Sequence, residues 1–409
     1  MPRLLIAPAL GAFVALLLLA APAPTYACGG CFAPTGQPSV VTAHRMAVSI
    51  SADESTLWDQ FEYAGAPEDF VWVLPVAGDQ DVTVELADDA FFAALATASQ
   101  VTLQAPFPPF SGGGFGCGAS AGDSAPMSGE PVTVFRREVV GPYETVTVGS
   151  ADAGSLVGWL TDNGYAVPDT LLPIIDHYIV RRMNFVVLRL APGAGVQQMQ
   201  PVRVTTPGMH VTFPLRMVSA GVADSVALEL FVIGEGRWAP ANFVDAEVDV
   251  DDIVYDWDTA EFNYDALAAE QLARSGGRAW LTESAEPANT YLFSRDYYDA
   301  DGNPGSPADD WAHATRSLGP EPWITRMRAE LPVAALDVDL VLVASMQGPR
   351  PGFIRVTNEV NRPSAAPSPL LRIGGGTGEG VPPAPLGLAL LAAAGTAFIV
   401  RRRIAAARG

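Results

Sequence analysis

Lysine is missing from this chain of 409 residues: its 24 basic residues are all arginine, set against 45 aspartates and glutamates. Charge is missing from the first 44 residues except at Arg3, and four more arginines sit in the last nine residues. The remainder holds 19 basic residues against 45 acidic ones, a formal charge near −26. A surface this acidic repels nucleic acid and anionic lipid headgroups, which argues against both as partners. It does not signify disorder, because 49% of the residues are hydrophobic, ample for a packed core. The roughly 330 residues between the terminal segments suffice for one large or two ordinary domains.

Cysteine is scarce: Cys28, Cys31 and Cys117 are all there is. A redox C-x-x-C pair opens a helix whose N-terminus lowers the thiol pKa. Here "FAPTGQP" follows "CGGC", and Pro34, Gly36 and Pro38 forbid that helix. A zinc site drawn from Cys28, Cys31, His44 and Cys117 lacks the second close pair of a zinc ribbon. In an oxidising compartment the expected state is a disulfide from Cys117 to Cys28 or Cys31. Lipidation of Cys28 is the competing reading, and it would leave Cys31 and Cys117 as an even pair.

Long apolar runs are confined to the two ends. Arg3, the core "LGAFVALLLLA" and the break "APAPTYA" make residues 1–27 a secretory signal peptide. At the other end a Pro/Gly-rich linker, 361–384, leads into "LGLALLAAAGTAFIV" and then "RRR". Fifteen helical residues span about 23 Å against a bilayer core of about 30 Å, so flanking residues complete the crossing. The expected transmembrane anchor is 385–400. The basic tail 401–409 stays in the cytoplasm and the body lies outside, in the periplasm or at the cell surface.

The body reads as α+β, with mostly antiparallel sheets and clustered helices. Residues 28–240 form its β-rich N-terminal part and 241–360 its α+β C-terminal part. "VVTAHRMAVSIS" and "STLWDQFEY" alternate like half-buried strands, and "EDFVWVLPV" is a continuous buried one. "ADDAFFAALATAS" has helical period with Asp88 and Asp89 in its first turn. "PVTVFRREVV" and "YETVTVGS" read as a hairpin about Gly141-Pro142. "DAGSLVGWLTDNG" reads as a helix capped by Asp152 and ended by Gly164. A second helix is expected from Asp169 to Arg181, before the buried strand "NFVVLRL". The Gly/Ser/Pro-rich stretch from Pro106 to Glu130 reads as a mobile loop. Residues 264–330 lean helical.

The order of these segments resembles a known bacterial family. "CGGCF", "EDFVWVLPV", "LVGWLTDNGYAVP", "FVVLRL", "FPLRM" and "WITRMRAELP" with "DVDLVL", over about residues 28–346, look like domain-of-unknown-function family 2330. The resemblance implies an exported protein, often with a C-terminal anchor. It carries no functional residue, since the family has no assigned activity. The spacer, apolar helix and terminal arginines resemble the PEP-CTERM and MYXO-CTERM sorting tags of bacterial surface proteins. This tail has neither a cysteine nor Pro-Glu-Pro before its helix.

Catalytic signals are few. "GASAG" places Ser120 in a nucleophile-elbow pattern, but in a glycine-rich loop rather than on a strand-to-helix turn. His44, His177, His210 and His313 show no ligand or catalytic spacing, and His177 reads as a packed helix residue. Two acidic stretches are candidate calcium sites. Asp245, Glu247, Asp249 and Asp251 alternate, so a strand would set all four on one face. Asp299, Asp301, Asn303 and Asp310 fall at positions 1, 3, 5 and 12 of a calcium-loop template, with Pro304 where the turn needs glycine. No cofactor is expected beyond weakly held calcium. The chain reads as an exported, membrane-anchored envelope protein that binds a surface partner, protein or polysaccharide, or serves envelope architecture without catalysis. An envelope hydrolase is the alternative, and a sensor is disfavoured by so short a cytoplasmic tail.

Overall fold

Alternation along "HRMAVSI" puts Met46, Val48 and Ile50 on one face of a strand and Ala47 on the other, and all four are buried. A strand covered on both faces belongs at the centre of a sheet. The computed structural model describes residues 31–32, 40–64, 70–77, 81–107, 136–165, 167, 171–222, 224–299 and 302–362. These fall within one compact unit, Met1–Pro363.

In chain order, β1 (Cys31–Phe32) precedes the long pair β2 (Val40–Ile50) and β3 (Glu54–Ala64), then β4 (Val71–Val76) and β5 (Thr83–Leu86). Helix α1 (Asp89–Ser99) and β6 (Thr102–Gln104) follow. The hairpin β7 (Arg136–Val140) and β8 (Tyr143–Val148) leads to α2 (Ala153–Asp162), α3 (Leu172–Ile179) and β9 (Asn184–Leu190). Next come β10 (Val202–Pro207), β11 (Thr212–Phe213), the single turn α4 (Leu215–Val218), β12 (Ser225–Gly234), β13 (Trp238–Pro240) and β14 (Val244–Ala246). After β15 (Val254–Asp256) and β16 (Glu261–Phe262) runs α5 (Tyr264–Gly277), whose regular turns stop at Arg274. The chain then forms β17 (Ala279–Pro287), the hairpin β18 (Tyr297–Tyr298) and β19 (Pro304–Gly305), α6 (Ala308–Thr315), β20 (Trp323–Pro332), β21 (Leu340–Ala344), β22 (Phe353–Arg355) and β23 (Asn358–Val360).

Two sheets dominate. One has the order β1-β4-β9-β8-β7 and is antiparallel throughout. The other, β14-β17-β20-β12-β2-β3-β10-β5, is antiparallel except for the pairs β14/β17 and β12/β2. The body is thus β-rich and mostly antiparallel, with few helices. Helices α2 and α3 cover one face of the five-stranded sheet. Its other face packs on β5 and β10 at the edge of the eight-stranded sheet. Helices α1 and α6 lie on the central strands of the larger sheet, where Phe91, Phe92 and Leu95 meet Trp58, Phe231 and Ile233. Strands from both sides of residue 240 share the larger sheet, β14, β17 and β20 joining β12, β2, β3, β10 and β5 where β20 pairs with β12.

Local signals place several elements. Asp152 accepts the Ser155 amide at the start of α2, and Gly164 ends that helix at φ +79°. Gly141 turns the β7/β8 hairpin at φ +55°, where a Cβ would meet the Leu86 side chain at 2.5 Å.

Two expectations fail. Residues 264–330 are not mainly helical, because β17 and β20 are long strands of the larger sheet. Thr282, Glu283 and Ser284 hide the apolar pattern of β17, yet all three are buried and partnered. Thr282 donates to Asp245, Ser284 to the Ser99 carbonyl, and Glu283 meets Arg326 and Arg328. The expected strand over 245–251 stops at Ala246. Asp249 instead caps a 3-10 turn, Val250–Asp252, by accepting the Asp251 amide. Among the described residues no helix is long and apolar enough to cross a membrane. Residues 1–27 and 385–409 lie outside the described residues.

Candidate functional site

Helix α1 begins where it does because Asp88 caps it: its Oδ1 accepts the Ala90 amide at 2.9 Å. The other oxygen of the same carboxylate accepts the Ser306 amide at 3.0 Å, which ties the β18/β19 hairpin to the helix start. A Cβ on Gly305 would lie 2.5 Å from Asp88 Oδ1, so the close approach of this hairpin requires glycine. The Asp88 amide in turn donates to Oδ2 of Asp310 at 2.9 Å. Asp310 sits in the first turn of α6, 2% exposed, and its Oδ1 also accepts Trp58 Nε1 at 2.8 Å and Arg203 at 3.0 Å. Two aspartates thereby lock four segments distant in sequence, at Trp58, Asp88, Arg203 and residues 306–310.

Around this frame opens a cleft of about 560 Å³, lined by Asp88, Asp89, Asp299, Asp309 and Asp310 with Tyr297, Tyr298, Gln200 and Asn303. Among the described residues its lining contains no basic side chain. Arg203, outside the lining, is shared among Glu85 (3.1 Å) and two of the lining aspartates, Asp309 (2.8 Å) and Asp310 (3.0 Å). Burial pushes the Asp310 carboxyl above the ordinary range, opposed by the Asp88 amide, Trp58 and Arg203. Asp89 accepts Gln60 Nε2 at 2.6 Å. Tyr298, which also lines the cleft, is 70% exposed.

His313, on α6, contacts Thr205 Oγ1 through Nε2 at 3.0 Å and Arg316 through Nδ1 at 3.3 Å. Burial, then the charges of Arg203 and Arg316, lower its pKa to about 4. An arginine N–H donating to Nδ1 leaves the ring proton on Nε2. That nitrogen then donates to the threonine instead of taking its proton, the reverse of nucleophile activation.

Asp299 and Asn303 do come together: Asp299 accepts both the amide and Nδ2 of Asn303 at 2.8 Å, and both residues line the cleft. Asp301 lies outside the described residues. Asp310 does not close their loop, because its oxygens are taken by Trp58, Asp88 and Arg203. The second stretch is dispersed. Asp245 accepts Thr282 at 2.7 Å and pairs with Arg237, and Glu247 pairs with Arg237 and Arg350. Asp249 and Asp251 belong to the following turn. Among the described residues no group of three or more His, Cys, Asp or Glu could hold a metal ion.

Cys28, Cys117 and Ser120 lie outside the described residues. Cys31 stands opposite Trp72 in the β1/β4 ladder. His44 is buried with Nδ1 3.3 Å from Asp59, to which Trp72 donates. Burial lowers the His44 pKa to about 3 and raises that of Asp59 well above its usual range. His177 packs edge-on against Tyr178 in α3, and His210 Nε2 lies 2.8 Å from the Pro207 carbonyl. Asp59, Asp309 and the two tyrosines carry no sequence signal of their own, His44 enters only as a zinc candidate, and Asp88 and Asp89 enter only as first-turn charges of a helix. The signal for the cleft was two Asp-Asp pairs, each at the start of a helix, with "DYYDADGN" between them.

Residues 22–334 match the family described as "Uncharacterized protein conserved in bacteria (DUF2330)". The chain belongs to the DUF2330 family. No curated protein and no solved structure matches it. Every residue named in the cleft of this DUF2330 protein falls inside the matched span, so the cleft is built from the family's domain alone.

Proposed function

We propose that this DUF2330 protein is a non-enzymatic binding module of the bacterial envelope, exported by residues 1–27 and held by residues 385–400, whose acidic cleft takes sugar strands that carry free amino groups. The observation that supports this reading most is the cleft's charge: five aspartates line it without a basic side chain among the described residues. Carboxylates accept charge-assisted hydrogen bonds from ammonium groups. The exposed face of Tyr298 suits a sugar ring or a cation. Gln200 and Asn303 supply the amides that pair with hydroxyls. An anionic ligand meets repulsion from both the cleft and the chain's net charge of −21.

The full-length chain, solubilised in detergent, is passed over chitosan beads and over fully N-acetylated chitin beads in mildly acidic buffer, where carboxylates and sugar amines are both ionised. Retention on chitosan alone is expected. It should weaken as salt shortens the Debye length from about 10 Å at 0.1 M to about 3 Å at 1 M. Asp89→Asn with Asp309→Asn should abolish it. Equal retention on both beads, or retention unchanged in the double variant, overturns the reading. Deletion of residues 385–409 should release the body from the membrane fraction, whereas continued retention would point to lipid on Cys28.

A further inference from the structure

The linings of two cavities meet on helix α1. Asp89 and Ala93 border the acidic cleft, while Ala96, Thr97 and Gln100 border a second groove of about 940 Å³. Spacings of three and four residues put these side chains on one helix face. That face is the one α1 leaves open: Asp89, Thr97 and Gln100 are exposed, Ala93 and Ala96 half-buried, and Phe91, Phe92 and Leu95 point into the core. The 11 residues of the helix make an open path of about 16 Å from the cleft to the groove.

The groove's opposite wall comes from β16 and the start of α5, with Glu261, Phe262, Tyr264 and Asp265. Glu283 and Arg326 also line it, paired with each other at 3.1 Å. Tyr264 is 7% exposed, and its hydroxyl has no hydrogen-bond partner. A buried hydroxyl in that state destabilises the fold unless something accepts from it. Burial, then the charge of Glu283, push its pKa up to about 12, so it remains an O–H donor. The groove therefore offers carboxylate acceptors in Glu261 and Asp265 and the apolar ring of Phe262, with the unpartnered Tyr264 hydroxyl buried beneath them. This is the mixture that hydroxyls, amines and a pyranose face require.

We propose that this groove is a second subsite for the same amino-bearing glycan, whose strand runs along α1 from the cleft; the proposal rests on the binding function given above. Tyr264 donates to a sugar oxygen, and Glu261 and Asp265 take up ammonium or hydroxyl groups of units beyond those held in the cleft. Two linked sites raise affinity for a ligand long enough to reach both.

Calorimetric titration of the full-length chain with a chitosan dimer and a chitosan hexamer tests this. The hexamer should bind at least about tenfold more tightly than the dimer. Glu261→Gln with Asp265→Asn should remove most of that advantage and leave the dimer unchanged. Tyr264→Phe, which keeps the ring and removes only the unpartnered hydroxyl, should melt at or above the parent and weaken the hexamer alone by about tenfold or less. A hexamer advantage untouched by both variants, with the dimer still sensitive to Asp89→Asn and Asp309→Asn, overturns the subsite and leaves the cleft reading standing. Absence of binding by either oligomer, or binding indifferent to the cleft variants, overturns both.

Discussion

The carboxylates of the central strands and those of the cleft are the same chemical groups used in opposite ways. Across the larger sheet they are matched. Arg45 meets Glu229 at 2.9 Å, Glu229 meets Arg326 at 2.6 Å, and Glu283 meets Arg326 at 3.1 Å and Arg328 at 2.9 Å. The ladder crosses four adjacent strands, β2, β12, β20 and β17. A few strands away, five aspartates gather round the start of α1, of which Asp309 and Asp310 pair with Arg203, itself also bound to Glu85. Matched charges hold strands in register. In the cleft, Asp88 and Asp310 tie segments of the fold together, while the exposed Asp309 adds little to it, so the use of the excess negative charge is sought in a ligand. Within this protein, the balance of charge separates what is structural from what is available for binding.

The ladder should break hardest. Glu283 is buried, and Glu283→Ala leaves Arg326 and Arg328 facing each other without their shared carboxylate. Removing one partner of a buried ionic cluster costs about 3–5 kcal/mol. A urea midpoint lowered to match is expected. Stability within about 0.5 kcal/mol of the parent, the range of ordinary surface substitutions, would show that the ladder is no more structural than the cleft.

How much of this could be read from the chain follows from where each partner lies. The strand at 71–76 was legible because its six residues are all buried and five are apolar or aromatic around Pro75. Helix α2 was legible because Asp152 and Gly164 mark its ends locally. Strand β17 was hidden because Thr282, Glu283 and Ser284 are satisfied by Asp245, Arg326, Arg328 and the Ser99 carbonyl, none of them a near neighbour. From Arg326 onward β20 does alternate, with Met327, Ala329 and Leu331 buried, but its Arg, Met, Ala, Glu and Leu are also good helix formers. The cleft was legible only as fragments. Asp88 and Ser306 lie 218 residues apart, and Trp58 and Asp310 lie 252 apart, so no local spacing reports their meeting. The alternation over 245–251 misled because period alone does not say where a strand ends: Glu247 turns to Arg350 and Asp249 to a cap.

A smaller effect sharpens the contrast further along α6, where His313 faces Arg203, Arg316, Glu54 and Glu85. Its folded pKa is about 4, below the ordinary value of 6.5. Between those values the unfolded chain binds the proton and the folded one does not. His313 therefore contributes stability above about pH 6.5 and loses it as the pH falls toward 4. Because the ring is partly open to solvent, the loss should be roughly 1–2 kcal/mol rather than the full value of the shift. Asp310 works the other way: its raised pKa makes the folded state gain protons as the pH falls. His313→Gln can still accept from Arg316 and donate to Thr205. Urea midpoints from pH 7 to pH 4 should fall less steeply in that variant, and an unchanged slope would assign the acid sensitivity elsewhere.

The smallest expected effect is the one that bears most on function. Asp309 is 85% exposed at its side chain, and its contact with Arg203 duplicates what Asp310 and Glu85 already provide. Asp309→Asn removes one negative charge from a crowded set and keeps the shape. The lost surface ion pair and the relieved repulsion each amount to a few tenths of a kcal/mol and oppose each other. The weaker first-turn charge on α6 adds a similar small cost. A change within about 0.5 kcal/mol in either direction is expected in the urea midpoint, together with weaker retention on chitosan. Were Asp309→Asn to destabilise the chain as Glu283→Ala does, the cleft would be a second structural network and its charge would have no ligand to explain. An unmoved midpoint with lost retention is the signature of a carboxylate that the fold carries without using.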